Sequence, residues 1–309
     1  MDTKDWPSLA GQDALARCLY GDHDGPARIA SWLAEQDARI DDPAFAKGFA
    51  DHIDLSGVVE GDYAHRLVRT SKGVLLGGIR FFGRDVSRPF VEVMAHDYGE
   101  DADGTAALVD AVASEWSAFA PLHLRLCMTP EAWDAFSPGI SDATLDVTVH
   151  AARHDAMTPP DGRVTLEPFG EVEAATGMVA RRYADLARTA PDLARNIGPA
   201  DPQDLRGWHD TGNLLAIRDT GQGRIAGLLA VAPGGVAWLA GDEVQEEVID
   251  TASAGRGLAA SAQMARAHAA PGGATLMVGT IDRLNHASRR TAERAGRGAV
   301  LAYVFVPLG

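Results

Sequence analysis

A chain of 309 residues, 46% apolar and 23% charged, has room for two domains and the balance of a globular protein. Its 28 Lys and Arg against 43 Asp and Glu leave a formal charge of -15, which repels polyphosphate backbones and argues against nucleic acid as a partner. No apolar run approaches the roughly 20 residues that span a bilayer. The N-terminus carries no basic-then-apolar leader, and Cys18 and Cys127 stand apart with no metal-ligand pattern around them. The expectation is a cytoplasmic protein with no membrane partner and no metal.

In chain order, residues 13–50 carry a helical pattern. Arg66–Thr70 and Val74–Phe82 suit a hairpin across Ser71-Lys72-Gly73, and Phe90–Ala95 suits another strand. A helix over 104–119 and a strand over 122–126 follow. Pro159-Pro160-Asp161-Gly162 can continue neither a helix nor a central strand, so the domain boundary is set there, dividing 1–155 from 164–309. Downstream, 164–169 reads as a strand, 171–189 as a helix with Val172, Val179 and Leu186 near one face, and 204–209 as a second helix. Strands over 214–218 and 225–231 flank a turn at 219–223, and a further turn is expected at Pro233-Gly234-Gly235. Residues 236–251 read as one interrupted strand, then come a helix to about 270, a strand over 275–281, a helix over 287–295 and a strand over 299–306. The order implies an α+β fold with a mixed central sheet flanked by helices, repeated more faintly in the first half.

The segment Glu243–Ser261 concentrates the chemistry. A strand enters a glycine-bearing turn that opens a helix, and the first N–H groups of a helix have no intrahelical acceptor. The helix dipole adds partial positive charge there, so a pyrophosphate can sit on it. Gly255 and Gly257 allow close backbone approach, and Arg256 adds charge. An acidic protein that binds a polyphosphate needs such a local device. By itself, Gly-x-Gly before a helix is equally an ordinary turn; a second cluster one strand later, Asn285, Ser288, Arg289 and Gly296, adds context.

Together these two segments resemble the GNAT superfamily of acyl-CoA transferases. Its pyrophosphate loop, Gln/Arg-x-x-Gly-x-Gly/Ala, matches Ala252-Ser253-Ala254-Gly255-Arg256-Gly257, and its Asn-x-x-Ala/Ser segment matches Asn285 to Ser288, with Gly296 closing the helix. The resemblance covers 164–309 and implies two GNAT-like domains in tandem, the second binding acetyl-CoA as acyl donor. It implies splayed strands in which backbone groups of Ile249, Asp250 and Thr251 hold the pantetheine arm. The amides of Gly255, Arg256, Gly257, Leu258, Ala259 and Ala260 would take the pyrophosphate. Asn285 would contact the pantetheine or position its helix, with Ser288 and Arg289 near the thioester or nucleotide. Three positions depart from the pattern: Ala252 replaces Gln or Arg, Ala292 replaces the Tyr that often protonates the thiolate, and Arg297 stands where an aromatic follows the last glycine.

Transfer to an amine needs a proton acceptor near the thioester. Glu243 and Glu247 are the candidates, expected on one strand face by the period of two, with Glu246 on the other; Ser288 or water can protonate the thiolate. The plainer reading makes these carboxylates solvated edge charges. Arg181, Arg182, Tyr183, Arg188 and Arg195 could recognise an acceptor carboxylate, such as that of an amino acid, or pair with Glu171, Glu173, Asp185 and Asp192 on the helix surface. His209, beside Trp208, could serve as a base or be structural. In the first half the corresponding turn carries Glu100, Asp101 and Asp103, which would repel a pyrophosphate, so that half is expected to be degenerate. The function expected is acyl transfer to the amine of a small molecule; the alternative is a non-catalytic CoA- or ligand-binding protein of the same fold.

Overall fold

The computed structural model describes residues 3–53, 55–99, 101–140, 142–270 and 272–309; Glu100 lies outside them. The chain divides into two compact units, Met1–Val147 with Leu301–Gly309, and Thr148–Val300. Each is α+β, a mixed sheet flanked by helices.

The first unit opens with α1 (Ala10–Tyr20), α2 (Asp24–Ala38) and α3 (Pro43–Ala50). Gly21, at φ 90°, ends α1, and Asp42 caps α3 by accepting from the amides of Ala44 and Phe45. β1 (Arg66–Arg69), β2 (Val74–Phe81) and β3 (Pro89–His96) form an antiparallel meander, followed by α4 (Ala102–Glu115) and β4 (His123–Met128), which runs parallel to β3. α5 (Pro130–Phe136) and β5 (Thr144–Arg153) come next, and β5 runs on into the second unit. The core gathers Leu75, Ile79, Val91, Leu108, Val112, Trp116 and Leu124 with Val304 and Val306.

The second unit continues with β6 (Val164–Pro168), α6 (Val172–Thr189), α7 (Pro191–Ala194) and α8 (Pro202–Asp210), then β7 (Leu214–Asp219), β8 (Arg224–Val236) and β9 (Leu239–Ile249). α9 (Leu258–Ala269), β10 (Leu276–Asp282), α10 (His286–Arg294) and β11 (Gly298–Pro307) complete the chain. β6 to β9 are successively antiparallel, and β10 joins β9 in parallel. α6 buries Val172, Ala175, Val179 and Leu186, an i, i+3, i+7 stripe, against Leu214, Leu228 and Val248. α9 buries Leu258 and Ala262 against Ile217, Leu229 and Val231 on the opposite sheet face.

Two sequence expectations need correction. Pro233-Gly234-Gly235 makes no turn: these residues stay paired within β8, opposite Asp242, Gly241 and Ala240, and the hairpin turns at Ala237-Trp238, with Ala237 at φ 52°. Residues 236–251 are therefore a strand end, a tight turn and a new strand. The last strand also does not stay with the second half, since β11 from Leu301 belongs to the first unit, where Ala302–Pro307 pair with β4.

Candidate active site

The site begins where two parallel strands part. β9 and β10 pair only from Leu276↔Gly241 to Val278↔Glu243, although β9 continues to Ile249 and β10 to Asp282. Two residues past the last pair, Gln245 is an extra residue: Ala230 opposes Glu246 and Val231 opposes Val244. Such a bulge bends its strand and raises its twist, so the far part of β9 turns from β10 and leaves an open edge. Asp250 N–H donates to Ala226 C=O at 2.8 Å, so Ile249 one residue earlier directs its N–H and C=O to the open side.

The bulge also reverses the side-chain alternation. Glu243 and Glu246 pair with Ala232 and Ala230 on one face; Glu247 pairs with Leu229 on the other. The expected sharing of a face by Glu243 and Glu247 is thus wrong, because the period of two fails across an inserted residue. Glu243 accepts from Gly235 N–H at 3.0 Å and fastens the hairpin. Glu246, 7% exposed, accepts from Tyr183 Oη at 3.3 Å and Ala200 N–H at 3.1 Å; burial raises its pKa. Glu247 faces α9, where its Oε2 accepts from Gln263 Nε2 at 3.0 Å while Oε1 has no partner among the described residues. Burial pushes its pKa up to about 7.

Past β9, Asp250 caps a short 3-10 turn by accepting from Ala252 N–H at 2.9 Å. The first α9 bond is Ser261 N–H to Gly257 C=O, so the amides of Gly257, Leu258, Ala259 and Ala260 precede the ladder. Gly255 and Gly257 both sit at φ 76°, a left-handed conformation that favours glycine. Arg163 Nη1 donates to Arg256 C=O at 2.9 Å. A trans peptide points its C=O and N–H in opposite directions, so this brace turns Gly257 N–H away from Arg163. Asp161 holds Arg163 Nε at 2.7 Å and accepts from Ser261 Oγ at 2.8 Å. The segment read as a linker is thus also the back wall of the loop.

One cleft of about 430 Å³ joins these parts. Of the sequence-predicted residues it is lined by Glu247, Ile249, Thr251, Gly255, Gly257, Leu258, Ala259 and Ser288. Others lie elsewhere. Arg256 reaches away to an ion pair with Asp219. Ala260 is buried, the Asp250 amide is engaged with β8, and Thr251 C=O accepts from Ala254 N–H at 3.2 Å, so only Ile249 of the expected three keeps its backbone turned to the open edge. Asn285 accepts from Ser288 N–H at 3.1 Å and caps α10, the positioning role of its two expected ones. Asn285→Ala should lower stability by about 1 kcal/mol in chemical denaturation, the usual cost of a lost cap. Arg289 donates to Arg283 C=O at 3.2 Å.

The cleft's positive charge comes from Arg182 on α6, one of the candidates for an acceptor carboxylate, and from two residues the sequence reading did not select, Arg290 and Arg294 on α10; none is in an ion pair among the described residues. The i, i+4 spacing of Arg290 and Arg294 on the helix after Asn285 was the available signal. Arg188 and Arg195 pair with Asp185 and Asp192, the surface arrangement weighed above, and His209 lies beside Asp210. Ala292 is buried in the helix's packing face and Arg297 is 2% exposed.

The first unit repeats the frame and closes it. β3 and β4 pair only as far as Glu92↔Arg125, and Met94, two residues on, is again an extra residue. Here Asp101 caps α4 by accepting from Gly104 N–H at 2.8 Å, occupying the amide end with a carboxylate of the chain. Ser8 Oγ accepts from His96 N–H at 2.9 Å and Gln12 Nε2 donates to Cys127 C=O at 3.0 Å, so the N-terminal segment takes up both strand edges.

No family model matches the sequence, and no curated protein matches it. Among solved structures, the chain is similar to a GCN5-related N-acetyltransferase from Sphaerobacter thermophilus at 15% identity, over 82% of this chain and 83% of that one, TM-score 0.48. It is also similar to a GNAT-family acetyltransferase from Colwellia psychrerythraea, at 11% identity over 90% and 96%, TM-score 0.48. A tandem GNAT protein from the clavulanic acid biosynthesis pathway aligns at 13% identity over 87% and 97%, TM-score 0.39. These neighbours are GNAT proteins. Among the described residues, no helix is long and apolar enough to cross a membrane.

Proposed function

We propose that the second unit is an acetyl-CoA-dependent N-acetyltransferase acting on the amine of a small molecule in the cytoplasm, with the first unit a degenerate repeat. The carrying observation is that a single cleft joins the open edge of β9 to the free amides that begin α9. A diphosphate fits this end, where amides precede the ladder and Arg290 and Arg294 are in no ion pair among the described residues. Bound acetyl-CoA would supply an activated acyl thioester. The backbone of Ile249 would hydrogen-bond the pantetheine arm, and the amides of Gly257, Leu258 and Ala259 would hold the pyrophosphate. Glu247, lining the same cleft, would accept the proton lost by the amine. Ser288, or water, would return a proton to the thiolate, since Ala292 cannot. Arg182 and Asp185 line the cleft with opposite charges, which suits an acceptor carrying a carboxylate as well as an amine, such as an amino acid.

The test is calorimetric titration with acetyl-CoA, then an amine panel scored by release of free CoA. Tight binding with no release from any amine would identify a CoA-binding protein without turnover. Arg290→Ala combined with Arg294→Ala should weaken acetyl-CoA binding about tenfold, about 1.4 kcal/mol, and flatten its salt dependence. An unchanged affinity would place the phosphates elsewhere.

A further inference from the structure

Arg297 stands where the resembled family carries an aromatic, and burying a guanidinium is costly without partners. Each of its three nitrogens donates. Nε and Nη2 donate to Gln263 Oε1 at 3.1 and 2.9 Å, and Nη1 donates to His150 C=O at 3.3 Å. His150 Nδ1 lies 3.2 Å from Arg297 C=O and its Nε2 lies 3.1 Å from Thr148 Oγ1, fixing that side. Arginine has no acceptor, so Gln263 must turn its oxygen to Arg297 and its NH2 to Glu247, 3.0 Å away. The amide can therefore only donate to Glu247. A donor binds a carboxylate better than a carboxylic acid, so this bond favours the ionised form against the burial that opposes it.

We infer that Gln263 and Arg297 are positioning residues that keep Glu247 ionised and aimed, Arg297 acting through the fixed amide of Gln263. This rests on the reading of Glu247 as the base. The other charged groups around Glu247 are Glu246, its β9 neighbour on the opposite face, and, lining the same cleft, Arg182 and Asp185 of α6 and Arg290 and Arg294 of α10. Glu246 opposes ionisation, and burial opposes it more; the Arg297 charge and the Gln263 bond work against both. The arrangement explains a buried cation beside Gln263, in the middle of α9: without it the amide could rotate and offer Glu247 its oxygen, which favours the acid.

The experiment uses the full chain as Gln263→Met, close in size and without a donor, and Arg297→Met. Titration of the Glu247 carboxylate is followed by 13C NMR, assigned by its loss in Glu247→Gln, and needs no turnover. Both variants should raise the midpoint by at least about one unit, a tenfold change in the ratio of ionised to protonated carboxyl. Turnover should fall at least about fivefold at pH 7 and recover at pH 9, with acetyl-CoA affinity unchanged. Gln263→Glu, whose carboxylate Arg297 would hold ionised, puts acceptors and a like charge against Glu247 and should raise the midpoint at least as far as Gln263→Met. An unmoved carboxylate midpoint in Gln263→Met, or a rate lowered equally at every pH, overturns the inference even if Arg297→Met fails to fold. A shifted midpoint in a chain that acetylates no amine keeps the inference on Glu247 ionisation and removes the enzyme reading.

Discussion

Gly257→Glu is expected to lower acetyl-CoA affinity at least about 100-fold, about 2.7 kcal/mol. Three effects add. Position 257 sits at φ 76°, where a side chain costs about 1–2 kcal/mol. A Cβ there would lie 3.1 Å from Arg163 Nη1, the group that braces the loop through Arg256 C=O. The new carboxylate would also place negative charge against the amides proposed to take the pyrophosphate. Gly257→Ala separates the contributions, because it carries the strain without the charge and should lose only about tenfold. Calorimetry reads both, with circular dichroism to establish that the fold is kept. Should the Glu variant bind within twofold of the natural chain, the cradle is not the cofactor site.

Glu247→Gln is expected to reduce turnover at pH 8 by about 10²–10⁴-fold, the usual range for a lost general base. Acetyl-CoA affinity should be unaffected, because the cradle and the arginines are intact. In the proposed reading the natural chain should gain rate as pH rises through about 7, since only the ionised carboxylate accepts a proton, and that rise should vanish in the variant. Stability should move the opposite way. The folded pKa of Glu247 is raised from its ordinary 4.5 to about 7 by burial, so the folded state holds an extra proton in that interval. Its contribution is full below 4.5 and is lost as pH rises through about 7, so Glu247→Gln should lose less thermal stability than the natural chain between pH 5 and 8. Rate profiles and calorimetry at two pH values check both statements. A persisting rise in rate would assign the base to another residue, with Glu246 next to be tested.

The two units show how one frame can be kept open or closed. Both bulge two residues beyond the last parallel pair, at Met94 and at Gln245. In the second unit the loop between strand and helix is glycine-bearing and leads to amides that precede the α9 ladder; in the first it is shorter and capped by its own Asp101. Ser8 and Gln12 then hydrogen-bond the strand edges that the second unit leaves open. In the proposed reading, the first unit has replaced a ligand with its own N-terminal segment.

Local chemistry made much of this legible in the residues alone. Helical spacing in α6 and glycines at the head of α9 depend on neighbours within a turn, so a linear reading reaches them. The direction of a long or charged side chain was not legible, because its partner lies far along the chain. Arg256 looked like a phosphate ligand until Asp219, 37 residues away, claimed it, while Arg163 turned from linker to brace through a carbonyl 93 residues distant. The largest miss was a matter of register. A single inserted residue at Gln245 moved Glu247 to the face opposite Glu243, and bulges arise from how two strands pair, which neither strand's own sequence records. The same applies to β11, whose composition marks a strand but whose neighbour, β4, was settled only when the whole sheet assembled.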